Sequence, residues 1–228
     1  MTTELEGFFP ATVEFELQPV RLPDESETTA AERGCVAQAV LKRQREFLSG
    51  RAAARQALAR LGIHGHDLLV SPSRGPLWPP GVVGSISHSG DVCLAAVALS
   101  AQLPGIGVDC APDAALDELL WSRICTPVEL DWIRLQPEPQ RGRWARIFFC
   151  AKEAAYKYQQ PLTLGFLGFQ DLTLGMDPQT KSFSMQLEGR FSNRSGEAFP
   201  GLDPGTLLQS ARGSWRLTAG HVIGLVHG

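Results

Sequence analysis

Residues 148–157, FFCAKEAAYK, carry one acid, Glu153, between Lys152 and Lys157, among Phe, Cys, Ala and Tyr. Trp144, Ile147, Phe148, Ala151, Ala155 and Tyr158 recur at i, i+3, i+4 and i+7, which predicts an amphipathic helix over 143–159 stopped by Pro161. That side is a core face. Glu153 and Lys157, four apart, are neighbours on the roughly opposite side. A solvated pair of this kind stabilises a helix by only about 0.3 kcal/mol. Phe149 and Cys150 project toward the same side, however, so the surface reads as the lining of a cleft. A carboxylate beside cations in a partly dry cleft suits a metal ion and a phosphorylated ligand.

Asp109 closes the apolar run GIGVD, read as a short strand ending near Asp109 with Pro112 behind it. A lone Asp there ordinarily caps a turn or a helix. Taken with Glu153 it supplies a second oxygen ligand for one Mg²⁺, which takes one or two protein carboxylates and fills its other positions with water and substrate phosphates. In GSISHSG, strand alternation sends Ser85, Ser87 and Ser89 to one side and His88 to the other, a poor geometry for a Ser-His nucleophile. Residues 42–60 hold six basic residues and one acid, Glu46, with Arg43, Arg51 and Arg55 spaced by multiples of four. This is either a solvated basic face or a phosphate clamp, for which the guanidinium fork is suited. Arg74 is a further cation carried by the Pro- and Gly-rich loop SPSRGPLWPPG.

The elements that must position these groups follow from local pattern. Residues 30–61 are rich in helix formers, with Ser49-Gly50 a break between two helices and Gly62 at the C-terminal cap. Residues 82–99 read as a hairpin turning near Ser89-Gly90-Asp91, its second strand buried. The TPVE at 126–129 is a capping box with Pro at the first helical position, and QPEPQRG at 136–142 is a polar loop. DLTL, SFSMQL, GSWRLT and HVIGLV read as antiparallel strands. Helices and strands without strict βα alternation give an α+β fold.

The 228 residues are 43% hydrophobic and 20% charged, an ordinary globular composition with a sizeable core. The net charge of −3 leaves no whole-molecule field for nucleic acid or anionic lipid, so any anion site is local. Five cysteines without C-x-x-C spacing read as free thiols in a reducing compartment, neither a disulfide framework nor a zinc site. No signal peptide is visible and VCLAAVAL is far too short for a bilayer, so a cytoplasmic protein is expected.

Four stretches in this order, KRQREFLSGRAAAR, RGPLWPPGVVGSISHS, GIGVDCAP and FCAKEAAYK, resemble the 4′-phosphopantetheinyl transferases of the larger, siderophore and secondary-metabolism type. The resemblance runs over about 42–168, and the pairing of G-[IV]-D with K-E-x-x-x-K is what makes it specific. It implies a monomer of two similar, pseudo-symmetric α+β halves with the active site between them, here 1–105 and 106–228. It implies transfer of phosphopantetheine from coenzyme A to a serine of an apo acyl or peptidyl carrier protein, which supplies the nucleophile the chain lacks. Asp109 and Glu153 would hold Mg²⁺ on the pyrophosphate, with Lys157 on that pyrophosphate and Lys152 beside it. Arg43, Arg51, Arg74, Ser87 and His88 would bind the nucleotide end, chiefly the 3′-phosphate, and Leu167 in FLGF would lie beside the pantetheine arm.

One departure stands out. Many family members have a second acid two residues after the Asp, where this chain has Ala111, so the resemblance implies a metal position left to water or a backbone carbonyl. Two other readings use the same groups: a Mg²⁺-dependent hydrolase of the coenzyme A pyrophosphate, and a coenzyme A-binding module whose metal site has decayed.

Overall fold

The computed structural model describes residues 2–72, 74–188 and 202–228, which leaves residue 73 of the Pro- and Gly-rich loop outside. In chain order the elements are β1 (Glu14–Pro19), α1 (Ala30–Gly34), α2 (Leu41–Arg60), β2 (Val82–Ser89), β3 (Val92–Leu99) and β4 (Ile106–Pro112). There follow α3 (Trp121–Ile124), α4 (Pro127–Arg134), α5 (Glu138–Thr163), β5 (Leu172–Asp177), β6 (Ser182–Leu187), α6 (Pro204–Ser210), β7 (Arg212–Thr218) and β8 (His221–His227). Two antiparallel sheets result, in the orders β1-β3-β2 and β4-β8-β7-β6-β5, and the fold is α+β.

The buried run VCLAAVAL is explained by its place at the centre of the first sheet. Cys93, Ala95 and Val97 face α2, against Ala53, Ala54, Ala57 and Leu58. Leu94, Ala96 and Ala98 face the other way, into a core shared with Val108, Ile223 and Leu225 of the second sheet. A strand covered on both faces has no polar side to show. The N-terminal segment enters the same shared core through Leu5, Phe9 and Val13, and Arg216 fastens it by donating to the carbonyls of Glu4 and Glu6. Helix α5 lies on the far face of the second sheet. It approaches closely enough that a Cβ on Gly107 would sit 2.1 Å from the Ala154 carbonyl oxygen, and one on Gly224 would sit 2.9 Å from that of Cys150.

The hairpin forms as patterned, turning at Gly90 in the left-handed region with φ of 59°, and the four C-terminal strands pair antiparallel. Glu129 accepts the Thr126 N–H at 2.7 Å, the reciprocal arm of the capping box at the start of α4. Three local expectations are corrected. The helical break falls at residues 35–40, and α2 runs unbroken through Ser49-Gly50, where the absent Cβ admits Ile86, whose Cγ2 would lie 2.8 Å away. The polar stretch after residue 137 is already α5: Pro139 sits in the first turn, where a missing N–H goes unnoticed. Pro161 does not stop that helix either. The helix runs on to Thr163 and is closed by Leu164, whose φ of 57° lets its N–H reach the Gln160 carbonyl at 2.8 Å.

Candidate active site where the two sheets meet

Strands β2 and β4 are edge strands of their own sheets, and they lie against each other. Serine hydroxyls stitch them together: Ser85 Oγ accepts the Val108 N–H at 3.0 Å, and Ser87 Oγ accepts that of Cys110 at 3.2 Å. Ser87 also donates to Asp109 Oδ1 at 2.7 Å. Asp109 stands in the middle of β4, paired with Gly224, instead of at a strand end, and it turns toward α5 together with Gly107 and Ala111. A carboxylate only 6% exposed needs partners. The second is Lys157, whose Nζ donates to the same Oδ1 at 2.6 Å.

Glu153 lies one helical turn before Lys157. Burial pushes its carboxyl above the usual range, the Asp109 charge pushes it further, and Lys157 opposes both. Burial pulls the Lys157 ammonium down, but the charge and hydrogen bond of Asp109, with Glu153 adding, outweigh it and hold the group above an ordinary lysine. Two carboxylates therefore share one lysine, which leaves room for further positive charge. Two hard oxygen donors with a net negative balance fit Mg²⁺. Among the described residues no group of three or more His, Cys, Asp or Glu side chains is placed to hold a metal, so this pair is the donor set available. Ala111, on the Asp109 face of β4, is 2% exposed and packed into the α5 core, so it contributes neither ligand nor open space.

A cleft of about 510 Å³ opens beside this pair, lined by Arg43, Arg51, Arg74, His88 and Lys157, with Phe47, Trp78 and Tyr156 among its walls. Burial lowers the pKa of Arg51 to about 10, which leaves it charged at neutral pH. Its Nε donates to the Leu68 carbonyl at 2.6 Å and its guanidinium stacks 4.2 Å from the Phe47 ring centroid, so its position is fixed before any ligand arrives. Arg43 Nη1 lies 3.3 Å from His88 Nε2. Because an arginine only donates, that contact assigns Nε2 as acceptor and the imidazole as neutral. Burial lowers the His88 pKa in agreement; Glu46 opposes, and Arg43 and Lys157 reinforce. Arg74 reaches the cleft from a left-handed backbone conformation, φ 69°, that a non-glycine residue adopts only at a cost.

A second hollow, of about 250 Å³, adjoins the first at Tyr156, which lines both. It is walled by Phe166, Leu167, Phe169 and Leu172, and Glu153 stands at its edge. The two together make a bipartite groove, cationic at one end and apolar at the other, with Glu153 and Lys157 at the junction and Asp109 buried against Lys157.

Three residues have other employment than the sequence assigns them. Ser87, 3% exposed, faces Asp109 and does not line the cleft. Arg55 turns away to Glu32, at 3.5 Å, and to the His66 carbonyl. Lys152, 2% exposed, is paired with Glu129 at 2.7 Å and donates to the carbonyls of Ile124 and Phe169. Burial lowers the Lys152 pKa and raises that of Glu129, while their mutual attraction opposes both shifts. Tyr156, Phe47 and Trp78 went unread as site residues. Two of them carry a signal: Tyr156 lies three residues after Glu153 on one helix face, and Phe47 lies four residues from both Arg43 and Arg51.

A groove of this kind, built from a basic helix, a Pro- and Gly-rich loop and an acid pair on facing strand and helix, suits a phosphorylated, partly apolar ligand. A family model described as the 4′-phosphopantetheinyl transferase N-terminal domain matches residues 31–98, and one described as the 4′-phosphopantetheinyl transferase superfamily matches 105–202. The 4′-phosphopantetheinyl transferase Npt of Nocardia iowensis is 33% identical over 221 residues, 96% of this chain and 97% of that protein. The 4′-phosphopantetheinyl transferase PptT of Mycobacterium tuberculosis is 32% identical over 97% of this chain and 96% of its own length. Svp of Streptomyces mobaraensis, of the same description, is 37% identical over 67% of this chain and 62% of its own. The chain belongs to the 4′-phosphopantetheinyl transferase superfamily, in its larger type. No helix among the described residues is long and apolar enough to cross a membrane.

Proposed function

We propose that the protein transfers the 4′-phosphopantetheinyl group of coenzyme A to a serine of an apo carrier protein and releases 3′,5′-ADP. The observation that carries this reading is the bipartite groove: cations for a nucleotide phosphate at one end, an apolar hollow for an extended arm at the other, and an acid pair with a lysine between. Residues 1–105 would supply the nucleotide end and 106–228 the acid pair, in a monomeric cytoplasmic enzyme. The serine oxygen attacks the β-phosphorus, a new P–O bond forms, and the P–O bond to the 5′-phosphate of the nucleotide breaks. Glu153 accepts the serine proton, directly or through a water, the role open to a carboxylate standing where the two hollows meet. Lys157 neutralises charge gathering on the leaving 5′-phosphate oxygen, and Ser87 holds Asp109 in place. Mg²⁺, held by Asp109 and Glu153, would supply Lewis-acid stabilisation of the pyrophosphate.

Incubation with coenzyme A, Mg²⁺ and an apo carrier protein, read by intact mass, is the test. A carrier gaining one phosphopantetheine with stoichiometric 3′,5′-ADP supports transfer. Phosphopantetheine appearing in solution without any carrier means hydrolysis, and binding without turnover means a coenzyme A-binding module.

A further inference from the structure

The ion pair of Glu129 and Lys152 lies at the inner wall of the apolar hollow, which Lys152 itself lines, and is almost fully buried on both sides, with side chains 0% and 2% exposed. Lysine has three N–H donors. Here all three are matched: Glu129 Oε2 at 2.7 Å, the Ile124 carbonyl at 2.9 Å and the Phe169 carbonyl at 2.6 Å. Glu129 in turn accepts the Thr126 N–H through Oε2 and the Leu174 N–H through Oε1, both at 2.7 Å. One node therefore ties the end of α3, the start of α4, the middle of α5, the 169–171 turn and β5. Two of its five attachments, Phe169 and the strand that contains Leu172, form walls of the hollow. A third, Lys152 itself, precedes Glu153 in the chain. Gln170 fastens the same turn from outside, donating to the carbonyls of Ser122 and Cys125.

Apolar side chains of similar volume would hold such a core together equally well or better, because two charges must be desolvated to bury an ion pair. What apolar packing would not supply is direction: a saturated ammonium fixes each carbonyl it touches. We propose that Glu129 and Lys152 are positioning residues that set the place of the Phe169 wall relative to Glu153. They thereby determine how tightly the hollow grips the amide-bearing arm of coenzyme A, while leaving the nucleotide end untouched. This rests on the reading that the hollow receives that arm.

The test compares affinities for coenzyme A and for 3′,5′-ADP, which carries the nucleotide end and no arm, in wild type and in the paired variant Glu129→Leu/Lys152→Met. Both charges are removed together because either single change strands the other in the core. The paired variant is expected to keep wild-type affinity for 3′,5′-ADP within about twofold and to lose at least tenfold for coenzyme A. General loosening of the fold would weaken both ligands alike, and that outcome overturns the proposal. So does a variant that retains the full preference for coenzyme A. If wild type itself binds the two ligands equally, the arm is not held in this hollow, and the reading beneath the proposal falls with it.

Discussion

Glu153 and His88 carry the sharpest single-residue consequences. Glu153→Gln keeps the shape of the side chain and removes the proton acceptor, so transfer to an apo carrier should fall by at least about 100-fold. The fold should survive, since the residue lies off the core face of α5; near wild-type turnover at saturating Mg²⁺ would remove Glu153 from the chemistry. His88 tests the electrostatics of the cleft. Its folded pKa is depressed by burial, with Arg43 and Lys157 reinforcing and Glu46 and Asp109 opposing. The unfolded chain, with an ordinary value of about 6.5, takes up a proton first as pH falls. Stability linked to neutral His88 is thus complete above about pH 6.5 and is lost as pH falls through the folded pKa. Relative to His88→Gln, wild type should hold a constant melting-temperature difference at pH 7–8 and lose ground progressively below pH 6.5. Parallel curves across that range would show that His88 is free to charge in the fold.

The contact between β4 and α5 brings the two acids together, and it depends on Gly107. A Cβ there would meet the Ala154 carbonyl at 2.1 Å and the Tyr158 nitrogen at 2.5 Å, both backbone atoms that cannot rotate aside. Gly107→Ala should therefore cost about 3 kcal/mol, the upper end for overpacking, seen as a lower denaturant midpoint. Because relief requires α5 to lift from β4, the Lys157–Asp109 contact should lengthen and activity should fall in the surviving folded fraction. An alanine variant with unchanged midpoint and turnover would mean that the helix seats elsewhere.

The arrangement of the two sheets decides ligand selection. Arg43, Arg51 and Arg74 come from one part of the chain and Lys157 from the other, yet they line one cleft with a single acid, Glu46, among them. Coenzyme A should bind at least tenfold more tightly than dephospho-coenzyme A, which lacks the 3′-phosphate, and added salt should weaken the difference. Arg74→Ala should shrink it with little effect on stability. Arg51→Ala would be a poorer probe, because that side chain also holds the Leu68 carbonyl and covers Phe47. Equal binding of the two coenzymes by wild type would show that the clamp reads another anion.

Local pattern in the sequence determined much of this. The 3.6-residue periodicity of α5, the Gly90 turn and the capping box at Thr126 all follow from neighbouring residues, whose effects operate over a few ångströms of chain. Where local rules failed, distant atoms had the deciding vote. Ile86 occupies the space a side chain at residue 50 would need, so α2 carries a glycine there, and α5 runs two residues past Pro161 before Leu164 closes it on the Gln160 carbonyl. Ser87 and Lys152 illustrate the limit most clearly. Their types fit a ligand site, and only the approach of β4 to β2 and of Glu129 to α5 commits them to protein partners instead. Which polar groups near a site remain available to a ligand is a question of which others have been satisfied across the fold, and hydrogen bonds between residues 22 or more apart leave no periodic trace in the sequence.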